Sequence, residues 1–373
     1  MQDNPIQLNS ISDAKVLLRV AYDVADLNST FRIINSFNTI EKLLKNNNTV
    51  IIITHWGRPK AREQSHSINR MIPTIARLMY EHLGVSKDII CFSNQFESSL
   101  QEINEIIETN RNLIHILENV RFDTRETSSD ENQKVSMAVD YSRLADYFVD
   151  EAFALSHRKH ATNYCIKDHL QYAYGLSYGE ETRQLTSIAK SPQTPLVVIS
   201  GGAKLETKIP VLNKLAYRAD SILVGGKICF TLLKARGDEV PGGYVDERLL
   251  DQAETLINSF GDKLILPVDF VFSDKDSEGR VYPYDIGPNT VNMFRQSIMN
   301  ARSLFWNGPL GYYEQGYVDG TIAIAQEIRR NQNCYSVVGG GDIISSLPQE
   351  LLTSFDFVSA GGGATLAYLA QRS

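Results

Sequence analysis

Tyr335-Ser336-Val337-Val338-Gly339-Gly340-Gly341-Asp342 and Phe357-Val358-Ser359-Ala360-Gly361-Gly362-Gly363-Ala364 each pass from a short apolar run through three glycines into a helix-compatible stretch. Apolar runs of this length bounded by glycine read as strands, and the segments after them as helix starts. A strand feeding a glycine turn and a helix aims backbone N–H groups and the positive end of the helix dipole at one point. That point suits an anion, phosphate above all. Asp342 beside such a nest is awkward unless a cation accompanies the phosphate. Glycines after strands also make plain tight turns, but Gly201-Gly202 and Gly225-Gly226 follow strand-like runs in the same way.

Outward from these loops, short apolar runs alternate with longer amphipathic ones. Strands are expected at Val16–Val20, Val50–Thr54, Ile89–Phe92, Leu113–Leu117 and Tyr147–Val149 in the first half. In the second half they are expected at Leu196–Ser200, Ser221–Val224, Leu264–Pro267, Ser303–Trp306, Tyr335–Val338 and Phe357–Ser359. Helix-like stretches such as Ile68–Leu83, Gln133–Ala145, Asp246–Phe260 and Thr321–Arg330 lie between them. Near-continuous apolar strands separated by helices imply parallel sheets covered on both faces. The alternation breaks around Asp168–Lys190, which reads as one helix stopped at Ser191-Pro192. The expected fold is α/β: two doubly wound parallel-sheet, Rossmann-like domains joined by a connecting helix and hinge. Residues 1–170 form the first domain, 171–191 the connector and 192–360 the second, with 361–373 packing back on the first.

The bulk numbers fit two such domains. The chain has 373 residues, 43% of them hydrophobic and 22% charged, enough for sizeable cores. A net charge of −7 argues against general nucleic-acid or anionic-membrane binding. Four scattered cysteines, Cys91, Cys165, Cys229 and Cys334, form no C-x-x-C pair, so neither a zinc site nor a disulfide framework is expected. No apolar run approaches membrane-spanning length, and a cytoplasmic location is expected.

Ligands of open parallel sheets bind beyond the carboxyl ends of the strands. The two halves differ in kind there. After first-half strands come Asp23, His55-Trp56-Gly57-Arg58, Glu118-Asn119-Val120-Arg121 and Glu151 through His157-Arg158; after second-half strands come the glycines, Lys204, Lys208, Asn307-Gly308-Pro309 and Asp342. The fork of Arg58, Arg121 and Arg158 matches carboxylate and phosphate oxygens, pointing to a small anionic substrate. Lys204 and Lys208 are four apart, one face of a helix, where an anion between them would relieve their repulsion. Neither a G-x-x-x-x-G-K-[ST] loop nor a G-x-G-x-x-G after the first strand is present. An anion-gripping half and a phosphate-cradling half fit phosphoryl transfer, which needs positioning and cations more than covalent chemistry.

The motifs resemble those of the phosphoglycerate kinase family along essentially the whole chain and in the same order. Thr54-His55-Trp56-Gly57-Arg58-Pro59 resembles S-H-L-G-R-P, and Leu117-Glu118-Asn119-Val120-Arg121-Phe122 resembles L-E-N-L-R-F. Asp150-Glu151-Ala152-Phe153 with His157-Arg158-Lys159-His160 is similar to N-D-A-F-…-H-R-A-H. Gly201-Gly202-Ala203-Lys204 with Lys208 matches G-G-A-K-…-K, and Trp306-Asn307-Gly308-Pro309-Leu310-Gly311 with Glu314 is similar to W-N-G-P-M-G-…-E. The resemblance implies reversible transfer of a phosphoryl group between 1,3-bisphosphoglycerate and Mg-ADP, giving 3-phosphoglycerate and ATP, by a monomer that closes about a hinge. By it, Asp23, Arg32, His55, Trp56, Gly57, Arg58, Arg121 and Arg158 would bind the acid. Gly202, Lys208, Gly226, Asn307, Glu314, Gly340, Gly341, Asp342 and Ile343 would bind the nucleotide, with Asp342 on Mg2+. Arg32, Lys204 and Lys208 would act on the transferring group.

The chain departs from the family at ligand-facing positions. The family's R-V-D-F-N-V-P reads Arg19-Val20-Ala21-Tyr22-Asp23-Val24-Ala25, so a carboxylate moves two places along. On a strand those places share a face, and Asp23 is expected to accept the substrate hydroxyl. G-G-G-D-T becomes Gly339-Gly340-Gly341-Asp342-Ile343, removing a hydroxyl at a cost on the order of 1–2 kcal/mol in nucleotide binding. Lys227 replaces a glycine and could add a phosphate contact or partly fill the nucleotide slot. The departures leave two alternatives: a catalytically weak or inactive paralogue that binds nucleotide, and a kinase for a related small carboxylate.

Overall fold

The computed structural model describes residues 4–24, 30–110, 113–239 and 242–372; Ala25 of the first-strand motif lies outside them. The chain divides into two compact units, Met1–Glu181 and Thr182–Ser373. The first contains β1 (Lys15–Arg19), β2 (Thr49–Ile53), β3 (Ile90–Ser93), β4 (Ile114–Leu117), β5 (Tyr147–Asp150) and β6 (Gln171–Tyr174). Their order across the sheet is β3-β4-β2-β1-β5-β6, with every pair parallel. Alternate residues of the central strands feed opposite cores: Val16, Leu18, Val50 and Ile52 enter one, Leu17, Ile51 and Ile53 the other. This two-sided burial is why β2 reads Thr-Val-Ile-Ile-Ile without polar alternation.

The second unit repeats the plan. It holds β7 (Leu196–Ser200), β8 (Ser221–Val224), β9 (Leu264–Ile265), β12 (Ser303–Asn307), β13 (Tyr335–Gly339) and β14 (Phe357–Ser359). They lie in the order β14-β13-β12-β7-β8-β9, again all parallel. In each sheet the chain leaves the first strand in one direction and later returns to its other side. The carboxyl ends of β1 with β5, and of β7 with β12, therefore flank the topological switch points where ligands settle.

Two elements differ from the sequence reading. Residues 171–174 form β6, an edge strand paired to β5, and the helix begins only at Leu176 and runs to Lys190. Gln171-Tyr172-Ala173-Tyr174 buries Ala173 alone, so its pattern is too weak to stand out beside the helix. β10 (Phe270–Phe272) and β11 (Pro283–Ile286) pair as an antiparallel ribbon not anticipated from the alternation. The last helix, Gly363–Arg372, packs on the helix Ile209–Leu215, and Tyr368 Oη lies 2.7 Å from Thr186 Oγ1, all within the second unit. Among the described residues no helix is long and apolar enough to cross a membrane.

Candidate functional site

In the first unit the charged residues gather where β1, β2, β4 and β5 end. Arg19, the last residue of β1, is fully buried. Its guanidinium donates to Thr162 Oγ1 at 2.9 Å and to the Val20 carbonyl at 2.7 Å, and approaches Glu126 Oε1 at 3.5 Å. It also meets His55 Nδ1 at 3.2 Å. Arginine only donates, so Nδ1 accepts, and the ring proton is fixed on Nε2. His55 Nε2 in turn faces Asp23 Oδ2 at 3.5 Å. Burial pushes the His55 pKa down to about 3; Asp23 opposes this, while Arg19 and Arg121 add to it. The ring is a neutral donor aimed at Asp23. For Asp23 itself burial acts upward, but His55, the Gly57 N–H and Arg121 overcome it and hold the carboxylate well below its ordinary range.

Asp23 lies beyond the end of β1, so the strand pleat does not set its direction; a loop contact does. Its Oδ1 accepts from Gly57 N at 2.8 Å, and its carbonyl accepts from Arg32 Nη1 at 2.5 Å. The side chain keeps 38% exposure, leaving lone pairs open to solvent. Arg121 donates to the Gly57 carbonyl, and burial lowers its pKa to about 10, which leaves it charged. The Trp56 indole N–H is engaged by the Val24 carbonyl at 3.0 Å. Arg158 is half-buried and donates to His157 Nε2 at 3.3 Å. Arg58 is exposed and has no ion pair among the described residues.

In the second unit Lys208 precedes the helix Ile209–Leu215, half-buried, and donates to Asn307 Oδ1 at the end of β12. Asn307 Nδ2 donates onward to the Gly339 carbonyl at the end of β13. The amide thus ties three strand-end loops together and orients the ammonium. Burial lowers the Lys208 pKa to about 8, against the pull of the Asp342 carboxylate. Lys204 is exposed, in extended conformation before a 3-10 turn spanning Leu205–Thr207. The two lysines therefore do not share one face of an α-helix as their spacing predicts; the 3-10 turn between them changes the phase.

The glycine pairs also act differently from the sequence expectation. Gly202 N donates to the Pro309 carbonyl at 2.7 Å and Gly226 N to the Leu310 carbonyl at 2.9 Å, so these N–H groups are not free donors. A Cβ on Gly201 would lie 2.2 Å from the Pro309 carbonyl oxygen. Close approach of the β7 and β12 loops is what excludes side chains there. Gly341, Asp342 and Ile343 open the helix Gly341–Ser346, whose first N–H groups have no intrahelical acceptors. The Ile343 side chain is buried in the core, leaving only its backbone for a ligand.

A cavity of roughly 400 Å³ is lined by Gly202, Gly226, Lys227, Tyr244, Glu314 and Asp342 among others. Among the described residues no three His, Cys, Asp or Glu side chains form a metal cluster. Asp342 is one exposed carboxylate on the cavity wall. That donor set fits a hard ion such as Mg2+, which takes one or two carboxylates and completes its shell with phosphate oxygens and water. Sequence reasoning passed over Thr162 and Glu126, and gave Arg19 no role beyond its strand. The signal available was a charged residue inside an otherwise apolar strand, which must have buried partners elsewhere.

A family model described as phosphoglycerate kinase matches residues 6–372. The phosphoglycerate kinase of Rubrobacter xylanophilus is 36% identical over 379 residues, covering 96% of this chain and 93% of that protein. The phosphoglycerate kinase of Corynebacterium efficiens is 33% identical over 370 residues, covering 93% and 89%. Among solved structures, phosphoglycerate kinase from Coxiella burnetii is similar with a TM-score of 0.80 at 28% identity, covering 98% of this chain and 96% of its own. Phosphoglycerate kinase from Pyrococcus horikoshii shares the fold, with a TM-score of 0.84 at 23% identity and coverage of 99% and 96%.

Proposed function

The chain belongs to the phosphoglycerate kinase family, a phosphotransferase with a carboxyl acceptor, and we propose that its two strand-end clusters divide the reaction between them. The acid, 3-phosphoglycerate or its acyl phosphate, is assigned to the first unit. Arg58, Arg121 and Arg158 bind its anionic groups, and Asp23 accepts the hydroxyl beside the neutral His55. The nucleotide is assigned to the second unit, in the cavity bearing Gly202, Gly226, Glu314 and Asp342. Gly340, Gly341 and the backbone of Ile343 supply N–H groups to phosphate, and Asn307 acts through Lys208. Asp342 would hold Mg2+, which neutralises charge on the polyphosphate when bound. Arg32, Lys204 and Lys208 supply cations to the transferring group, whose charge spreads over its oxygens. A monomer in the cytoplasm belongs to the same reading; all four cysteines are free thiols, as a reducing compartment keeps them.

The observation that carries this reading is the Lys208–Asn307–Gly339 chain beside Asp342. It fixes an ammonium where the ends of β12 and β13 meet, the place a polyphosphate needs one. A coupled assay with 3-phosphoglycerate and MgATP, run beside a panel of related hydroxy acids, tests it. Turnover is expected with 3-phosphoglycerate above the others, and Arg32→Ala should lower kcat by roughly 10³ or more with little change in KM. Turnover with none of the acids, or only with a different one, overturns the substrate assignment.

A further inference from the structure

Lys227 stands immediately before the helix Ile228–Arg236, where a cation opposes the helix dipole. The side chain is exposed, and its ammonium lies 3.5 Å from the centroid of the Tyr244 ring, close for a cation–π contact. Both residues line the cavity assigned above to the nucleotide. The segment that carries Tyr244 is fastened on either side of it. Asp246 N donates to Thr231 Oγ1 at 3.0 Å, within the same helix that Lys227 precedes. On the other side, a Cβ on Gly242 would lie 2.4 Å from the Val281 carbonyl oxygen, so the backbone packs directly on the segment that leads into β11. Tyr244 is nevertheless 52% exposed.

Of the other tyrosines that line this cavity, Tyr313 is hydrogen-bonded to Asp342 and the remaining three are engaged ring to ring. Tyr284 meets Tyr282, Tyr312 and Tyr317 at ring-centroid distances of 6.0, 5.2 and 5.0 Å. Tyr244 has no ring partner among the described residues; the Lys227 ammonium lies over its ring, and half of the residue stays exposed. Resting on the nucleotide reading of this cavity, we propose that Tyr244, held in place by Lys227, is a stacking platform for the nucleobase. Lys227 is then a positioning residue, neither a phosphate ligand nor a plug. It holds the ring at the cavity wall, and the ring selects bases by the area they can overlap.

Calorimetry on the full chain with MgADP, MgUDP and tripolyphosphate, a probe without a base, tests the proposal. Tyr244→Ala should weaken MgADP binding by about 5- to 100-fold, the range for loss of one base–aromatic stack. It should leave tripolyphosphate unchanged and narrow the preference for the purine over the pyrimidine nucleotide. Tyr244→Phe keeps the ring and should keep the affinity. Lys227→Met should weaken MgADP by about 2- to 5-fold, the value of one exposed cation–π contact, and Lys227→Arg should restore it. MgADP affinity unchanged in Tyr244→Ala, or a parallel loss of tripolyphosphate, overturns the platform. Failure of the parent protein to bind either MgADP or tripolyphosphate overturns instead the nucleotide reading on which it rests.

Discussion

Lys208 shows how burial and pairing set one side chain's chemistry. Burial disfavours its ammonium and brings the pKa to about 8, with Asp342 opposing the shift and the Asn307 amide accepting one N–H. The protonated form is the one that attracts phosphate, and it is lost in the free protein as pH rises through about 8. Bound phosphates restore it, so the loss belongs to the free form and not to the complex. kcat/KM for MgATP should therefore fall above about pH 8 while kcat stays flatter over the same range. Lys208→Arg, which stays charged, should abolish that descending limb even if its geometry lowers activity. A limb of the same position in the arginine variant would show that another group causes it. At this scale the sequence placed the charged residues after the strands, where they are found. It could not tell which polar groups were already engaged. The N–H groups of Gly202 and Gly226 are taken by Pro309 and Leu310, about a hundred residues away, and the Trp56 indole by Val24. No local pattern pairs such distant loops.

The elements were legible where burial is two-sided, as in Thr49–Ile53 and Leu196–Ser200, and lost where one short edge strand meets a helix, as at Gln171–Tyr174. That junction holds a buried carboxyl with a raised pKa. Glu151 follows β5, wholly enclosed, and accepts from Thr39 Oγ1 at 2.8 Å, Ser177 N at 3.1 Å and Tyr178 N at 3.3 Å. Thr39 Oγ1 accepts in turn from Leu176 N at 2.8 Å. The carboxylate thus caps the first turn of the helix Leu176–Lys190 from another element. Burial raises its pKa to about 7 against the downward pull of those donors. A raised carboxyl pKa favours folding most fully below the unfolded value of about 4.3, and that contribution disappears as pH rises through 7. Glu151→Gln cannot titrate. The stability of the parent relative to this variant should thus fall by up to about 3 kcal/mol between pH 4.5 and 8. Urea unfolding of both proteins across that range measures it, and identical pH slopes would mean that Glu151 does not carry the proton.

For the molecule as a whole, the sequence predicted two parallel-sheet units because the same alternation of apolar run and amphipathic stretch occurs twice. Each unit has its own sheet and its own core. A ligand that contacts only one unit can lend binding free energy only to the openings that break its own contacts, about 2.7 kcal/mol when present at a hundredfold excess over Kd. The division of labour proposed above therefore has a signature in amide hydrogen exchange. MgADP alone should slow exchange in 200–208, 307–314 and 339–343, the segments after β7, β12 and β13. 3-Phosphoglycerate alone should slow it in 20–24, 54–58, 118–122 and 150–158, after β1, β2, β4 and β5. The arginine cluster is already internally bonded through Arg19, His55, Asp23 and Gly57, so protection there should be smaller than around the first turn of Gly341–Ser346, whose N–H groups gain new acceptors. If MgADP protected 20–24, 54–58, 118–122 and 150–158 and left 200–208 unchanged, the ligands would be assigned to the wrong units, and Lys208 would lose its place in the reaction.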